Sequence, residues 1–355
     1  MKSYNHLWEK VISDENIREA VRKASKGKRD RPEVALIYEH MDKQIPYLRR
    51  FAENYISRHK RPRIVKEGSK ERVIVVPSIR EQILHHMIVG VLQPIIMKGM
   101  YAHSHGSIPG RGPASAKRAI KSWIKDRKNT KYFLKMDIRH FFATIPHDKL
   151  KEFISKYVHD ARFLHLIFEV IDSGTAGLPL GYHTSHWFAN WYLQGLDRYI
   201  KQELKAVYYI RYMDDMVIFG SNKRELHRMQ RAISEYLNTL GLEMKRNWQV
   251  CRFHTIKGNK DRYRFLDFMG FRFYRNRITL RKGIMLRMTK RARRYYLHPG
   301  IYACRQMLSA LGWIKQTDVY YMYLMWIKPY VNFQIIKRKI SRYDHRIGKE
   351  KKHVA

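Results

Sequence analysis

Cysteine is nearly missing. Cys251 and Cys304 are the only two in 355 residues. That excludes a multi-disulfide framework and a Cys-rich zinc module, and makes a reducing, cytoplasmic setting the expectation. Acidic residues are scarce as well: 31 Asp and Glu stand against 71 Lys and Arg, a formal net charge of +40. Such a field repels itself unless a polyanion neutralises it. Nucleic acid is the natural partner, because each phosphate contact releases a counterion; an anionic membrane surface is the rival. No apolar run approaches a membrane span, and Met1 to Lys10 has no signal-peptide core, so no membrane partner is expected. There is no internal repeat and no Gly/Ser linker. What is present is a 45% hydrophobic content, enough for a sizeable core split into two or three lobes.

The 18 histidines invite a metal reading, above all His85–His86 and His103 with His105. No Cys or acidic partner sits at ligand spacing beside them, so they are expected at the surface or on nucleic acid.

Residues 14 to 60 read as helices. Arg61 to Pro77 reads as a strand pair turning at Glu67-Gly68-Ser69. Ile79 to Met97 is apolar enough for a buried helix, and His103 to Pro113 is a Gly/Pro-rich loop. Tyr132 to Ile138 reads as a strand and Asp148 to Val158 as an amphipathic helix, with Leu150, Phe153, Ile154 and Tyr157 on one face. A loop at Gly174–Gly181 precedes a long helix predicted from Ser185 to Leu204, aromatic on its buried side. Val207 to Phe219 gives two short strands around an acidic turn. Leu226 to Leu240 gives a helix closed by Gly241, and Phe265 to Tyr274 a further strand. The remaining 80 or so residues are basic, aromatic and mostly helical. This alternation predicts an α+β core with a helical C-terminal lobe.

Two stretches carry chemistry. In Tyr208 to Phe219, Asp214 and Asp215 stand at the tip of an apolar, aromatic hairpin with no Gly in the turn. Adjacent carboxylates on a low-dielectric background raise each other's pKa. A bound divalent cation removes that cost, and Mg²⁺ suits a few carboxylate oxygens plus phosphates and water. The bland reading is a solvated acidic turn. In Lys135 to Phe142, Asp137 closes a strand and precedes Phe141-Phe142. Two-metal nucleotidyl transfer needs a carboxylate on a neighbouring strand to bridge both ions, and Asp137 fits that part. Taken alone it could equally be a helix N-cap.

Tyr212-Met213-Asp214-Asp215 resembles the Y-x-D-D box of reverse transcriptases, and Asp137 with Phe142 resembles that family's other catalytic Asp motif. An ordered series over roughly residues 60 to 275 strengthens the resemblance. Lys70-Glu71-Arg72 resembles the fingers strand that grips the triphosphate. Ser104 to Arg111 resembles the S-Y-G-F-R-P-G-R loop of bacterial retroelement polymerases, with Ile108 in place of its first Arg. Gly177 to His186 resembles the loop packed on template and incoming base. Leu242 to Val250 resembles the segment after the palm helix, and Phe265 to Phe271 the primer-grip hairpin.

The resemblance implies a right-hand polymerase: N-terminal helices and fingers over 1–130, a palm of antiparallel sheet plus helices over 131–275 with a fingers-side insertion near 148–180, and a helical thumb with a basic tail over 276–355. It implies RNA-directed DNA synthesis, with catalytic Asp137, Asp214 and Asp215. The implied metal ligands are Asp137, Ile138, Asp214 and Asp215, holding two Mg²⁺ ions for which Mn²⁺ could substitute. The implied dNTP contacts are Lys70, Arg72, Gly181, Ser185, His186 and Phe142, the last excluding a 2′-hydroxyl. The implied nucleic-acid contacts are Arg111, Tyr212, Met213, Met269 and Gly270. Partners would be template RNA, a DNA or RNA primer, dNTPs and a small basic accessory protein.

The loop reads L-P-L-G-x-x-x-S, which resembles diversity-generating retroelement enzymes, although His186 stands where that group has Gln. A compact antiviral-defence or retron-like bacterial enzyme is the nearest alternative. An RNase H domain and a Cys/His endonuclease are not expected. Two rivals from other classes are a non-catalytic RNA-binding scaffold, opposed by the three carboxylates, and an RNA-making polymerase, opposed by Phe142. Finally, Lys290, Arg291, Arg293 and Arg294 form a basic run expected to track phosphates. The stripe Tyr320, Tyr321, Tyr323, Trp326 and Tyr330 is expected in the thumb core or on a partner surface.

Overall fold

In the computed structural model, residues 4–58, 61–67, 70–174 and 176–353 are described. Four helices come first: α1 (Trp8–Val11), α2 (Asp14–Ser25), α3 (Pro32–Glu39) and α4 (Met41–Glu53). The hairpin β1 (Arg63–Glu67) and β2 (Lys70–Ile74) follows, its tip at Gly68-Ser69 lying outside the described residues. Then come α5 (Ile79–Lys98), α6 (Pro113–Trp123), β3 (Tyr132–Asp137), α7 (Phe141–Thr144), α8 (His147–Ser155) and α9 (Ala161–Asp172). Next are α10 (His183–Tyr192), α11 (Gln194–Arg198), a π-helix at Tyr199–Glu203, β4 (Tyr208–Tyr212), β5 (Asp215–Gly220) and α12 (Lys223–Thr239). The C-terminal part holds β6 (Gln249–Arg252), β7 (Thr255–Lys257), β8 (Lys260–Arg262), β9 (Leu266–Phe268), β10 (Phe271–Phe273) and β11 (Ile278–Leu280). Helices α13 (Lys282–Leu297), α14 (Ile301–Ile314), α15 (Tyr320–Trp326) and α16 (Phe333–His353) close the chain.

The central sheet has the order β4-β5-β3-β6. Its β4–β5 hairpin is antiparallel and pairs Tyr212 with Asp215 and Tyr208 with Phe219. Tyr209, Ile210 and Met216 to Phe219 are all buried, so successive residues on both faces of the hairpin are covered. Strands buried on both faces belong inside a covered sheet.

Two compact units divide the chain. The first comprises Met1–Gly112, Leu134–Phe219 and Arg224–Val250; the second comprises Pro113–Phe133, Gly220–Lys223 and Cys251–Ala355. In the first unit, α5 packs against α2 and α10. It starts at a capping box in which Ser78 Oγ accepts from Glu81 N and the Glu81 carboxylate accepts from Ser78 N. Helix α12 buries Leu226, Met229, Ile233 and Leu237 at helical spacing and stops at Gly241, whose φ of +74° suits a residue without Cβ. In the second unit β9, β10 and β11 form a sheet, and α14 packs against α13 and α16.

Several expectations are corrected. The long helix from Ser185 to Leu204 is broken into α10, α11 and the π-helix, because its inward polar residues must meet fixed partners described below. Phe265 to Tyr274 is two short strands turned at Met269-Gly270, with φ of +52° and +87°. His85 and His105 are buried, not at the surface: His85 Nδ1 lies 3.0 Å from Thr184 Oγ1. In the tyrosine stripe Tyr320, Tyr321 and Trp326 are exposed and Tyr323 and Tyr330 half-buried, which removes the core half of that expectation and leaves the partner surface.

Candidate active site

The acidic turn is built by strand pairing. Because Tyr212 pairs with Asp215, the turn residues are Met213 and Asp214, and Asp215 is the first residue of β5. Asp215 is therefore not at the tip, as the sequence reading had it. Met213 takes a φ of +56°, a conformation that favours Gly.

That strained turn is over-determined by buried contacts. Arg211, with no exposed surface, donates Nε to Asp197 Oδ1 at 2.8 Å and Nη2 to Asp197 Oδ2 at 2.6 Å. Its Nη1 donates to Asn190 Oδ1 at 2.9 Å and to the Met213 carbonyl at 3.2 Å. Asn190 Nδ2 donates to the Gly106 carbonyl at 2.9 Å and to Met213 Sδ at 3.4 Å. Tyr209 Oη donates to Asp197 Oδ1 at 2.8 Å. The loop before α6 is stitched on by the backbone: His105 N donates to Arg211 O and Arg211 N to His103 O. Gly106 sits where a Cβ would lie 2.5 Å from Met213 Cγ and 2.7 Å from Met213 N, so only Gly fits.

Asp137 ends β3 and meets this turn. Ile138 N donates to the Asp214 carbonyl at 3.3 Å, and Lys245 N donates to the Asp137 carbonyl at 2.9 Å. Burial and the neighbouring Asp137 carboxylate push the Asp214 carboxyl up to about 6, against a weaker downward pull from a backbone N–H, Lys245 and Arg72. Lys245 Nζ lies 3.9 Å from Asp137 Oδ1, and Lys135 Nζ lies 3.7 Å from Asp215 Oδ2. Thus Asp137 and Asp214 come together, and Asp215 faces Lys135. Among the described residues no three or more His, Cys, Asp or Glu gather closely enough to enclose a metal ion. A repelling carboxylate pair, not a closed cage, is the donor set that fits Mg²⁺, which retains waters and substrate phosphates in its shell.

Around the pair, Phe142 lies in α7 with its ring 5.2 Å from that of His186. His186 Nδ1 lies 3.3 Å from Ser107 Oγ, and burial holds its pKa below the usual range. The loop 177–181 is pinned at both ends: Leu178 N donates to Phe142 O at 2.7 Å and Val75 N to Leu180 O at 2.8 Å. Gly181, at φ +110°, lies so close to the Val75 carbonyl that a Cβ would collide with it. Ser185 is buried with its Oγ donating to Pro179 O at 2.8 Å, so its hydroxyl serves the loop. Arg111 donates Nη1 to Tyr101 O at 2.6 Å and Ser104 O at 3.1 Å, and likewise holds its own loop. The side chain of Lys70 lies outside the described residues; Arg72 on the same strand is exposed. In the second unit, Lys290, Arg291, Arg293 and Arg294 are exposed on α13, with Arg293 5.5 Å over the Trp326 ring.

A family profile described as reverse transcriptase (RNA-dependent DNA polymerase) matches residues 64–272, more than half of the chain. The chain belongs to the reverse transcriptase family. It is 25% identical to the Retron Ec73 reverse transcriptase of Escherichia coli, covering 61% of this chain and 72% of that one. It is 27% identical to the group II intron-encoded protein LtrA of Lactococcus lactis, covering 51% and 31%. It is 29% identical to an uncharacterized 91 kDa protein in the cob intron of Schizosaccharomyces pombe, covering 58% and 26%. The chain spans two fifths or less of the first curated relatives it matches. Among solved structures, telomerase from Candida albicans in complex with a TWJ fragment of telomeric RNA superposes with a TM-score of 0.50 at 11% identity, covering 82% of this chain and 60% of that one. The likeness bears on the fold, a right-hand polymerase of helices and antiparallel sheet. Among the described residues no helix is long and apolar enough to cross a membrane.

Sequence reasoning missed the Arg211–Asp197–Asn190 network and Lys245. The signal was available. Asn190, Gln194 and Asp197 fall at helical spacing inside an otherwise aromatic stretch, and Arg211 interrupts a fully apolar strand. A charge in each of two buried faces must find the other.

Proposed function

We propose that this reverse transcriptase family member is an RNA-directed DNA polymerase whose reaction centre is the Asp137–Asp214 pair, with Asp215 beside it. One observation carries this reading: Asp137 ends β3 beside the turn that bears Asp214, Ile138 N donating to the Asp214 carbonyl, and burial together with the Asp137 charge pushes the Asp214 carboxyl up to about 6. A fold keeps so unfavourable a pair when a divalent cation is to be held there. Asp137 and Asp214 would hold Mg²⁺ or Mn²⁺, with the Ile138 backbone and Asp215 adjacent. Bound there, the metal would lower the pKa of a primer 3′-hydroxyl and neutralise a dNTP triphosphate. Arg72, whose charge reaches Asp214 from β2, would bind the triphosphate with Lys70. Phe142, braced by His186, would lie under the sugar and exclude a 2′-hydroxyl. Gly181 lets the loop approach the incoming base closely. Met213 and Tyr212 would meet the primer end, and Met269-Gly270 and the basic face of α13 the duplex.

The test is primer extension by the purified chain on an RNA template, with dNTPs or rNTPs and Mg²⁺. We expect dNTP-dependent extension that Asp137→Asn abolishes. Extension by the variant at the wild-type rate would refute the assignment.

The L-P-L-G-x-x-x-S loop supports membership in the diversity-generating type, with a structured template RNA and a small basic accessory protein as partners. The 72% coverage of a retron enzyme supports a retron-like or defence role instead. Sequencing the cDNA separates them. Substitutions concentrated at template adenines favour the first; faithful copies or untemplated repeats favour the second.

A further inference from the structure

The second unit carries a concentration of positive charge that the chemistry above does not use. Arg127, Lys131, Arg252 and Arg275 line a cavity of about 350 Å³ with Thr255 and Asn276, and no carboxylate is among its walls. Arg275 forms its floor. This half-buried guanidinium donates to Ile124 O at 2.7 Å, Thr130 Oγ1 and Thr130 O at 2.6 Å each, and His254 O at 3.2 Å. It also lies 4.7 Å over the Phe253 ring. It is therefore a fixed charge that cannot swing out to solvent.

Three exposed cations surround it. Arg252 lies 4.6 Å over the Tyr263 ring and 6.0 Å over the Tyr132 ring, and Lys131 lies 5.8 Å over the same Tyr132 ring. Stacking fixes a guanidinium plane while leaving its N–H edges available to an anion. Two acids lie nearby: Asp126, whose charge acts on Arg275 in opposition to Arg127, and Asp261. Asp126 accepts from the backbone of Lys128 and Asn129 and from Asn129 Nδ2. Asp261 pairs with Arg277 and with His254. The cations repel one another: after burial, Arg127 is the largest influence lowering the Arg275 pKa.

We propose that this cavity binds a backbone phosphate of RNA, at a site distinct from the residues assigned to polymerisation. An inorganic anion would satisfy the floor alone. Three exposed cations, two of them laid on tyrosine rings, suit consecutive phosphates of a polynucleotide. The choice of RNA rests on the polymerase reading, and the experiment keeps the two separate.

The probe is a labelled RNA stem-loop with single-stranded flanks and no primer, bound to the full chain over a salt series. The variant combines Arg127→Ala, Lys131→Ala and Arg252→Ala, sparing the structural Arg275. We expect affinity to fall at least tenfold and the salt slope to shrink by about 2 to 3, one for each lost phosphate contact. Primer extension on a short, saturating primer–template should stay within twofold of wild type, which also reports that the variant is folded. A charge-keeping variant, Arg127→Lys with Arg252→Lys, should retain the slope. Unchanged RNA affinity and slope in the alanine variant would overturn the proposal while leaving the polymerase reading intact. Millimolar inorganic phosphate that displaces no RNA from wild type agrees with the proposal. Tight phosphate binding together with unchanged RNA affinity would make the cavity a free-anion site and overturn it.

Discussion

Asp214→Asn separates stability from activity in opposite directions. In the metal-free protein burial and the Asp137 charge push the Asp214 carboxyl up to about 6 from an ordinary value of 3.8. Holding the carboxyl at about 6 and not at 3.8 costs the ionised fold about 3 kcal/mol. Between pH 3.8 and 6 the folded state binds more protons than the unfolded one, so stability falls as pH rises through that window. Above it the penalty is complete. Asparagine cannot ionise and escapes it. With EDTA at pH 8 the variant should therefore melt about 4 °C above wild type, for a chain this long unfolding as one. The gap should close as pH drops below the window. Millimolar Mg²⁺ should raise the wild-type midpoint and leave the variant nearly unmoved, because binding to the native state stabilises by mass action. Extension should meanwhile fall at least a hundredfold, about 3 kcal/mol of barrier. Differential scanning fluorimetry across pH, with and without Mg²⁺, reads all of this. A variant no more stable than wild type at pH 8 in EDTA, or a Mg²⁺ shift equal in both, would refute the strained-pair argument.

Other consequences are as specific. Arg211→Met strands a buried Asp197 and should cost about 3–5 kcal/mol in urea unfolding, most of it recovered in Arg211→Met/Asp197→Leu; additive losses would mean the pair is not coupled. Gly106→Ala forces a Cβ against Met213 N and should cut primer extension at least tenfold, with overpacking of about 1–3 kcal/mol in unfolding free energy. An unimpaired rate would show that the turn tolerates the shift. Phe142→Ala should raise ribonucleotide incorporation at least tenfold in single-nucleotide extension, and no change would remove its proposed role at the sugar.

The hairpin was legible because two apolar runs bracket a charged pair, a pattern that has few other solutions. Its tip was read one residue late. Turn rules say that someone must take positive φ, yet Met213 takes it because Asn190 and Gly106 receive it there, contacts that no local window contains. The same logic broke the helix after Tyr192: Gln194 Nε2 reaches Ile96 O and Asp197 reaches Arg211, and the backbone widens into a π-turn rather than lose either. His85 is in the core because a hydroxyl partner, Thr184 Oγ1, and the Tyr182 ring lie beside it there, which its sequence neighbours do not reveal. On α15 aromatic periodicity marks a face and does not tell whether core or a partner lies opposite it.

The contact between Gly106 and Met213 ties two distant stretches of sequence into one inherited unit. Bulk admitted on one side must be given up on the other. Randomising both positions together and selecting for copying should therefore yield a narrow diagonal of tolerated pairs, not two independent lists of permitted residues.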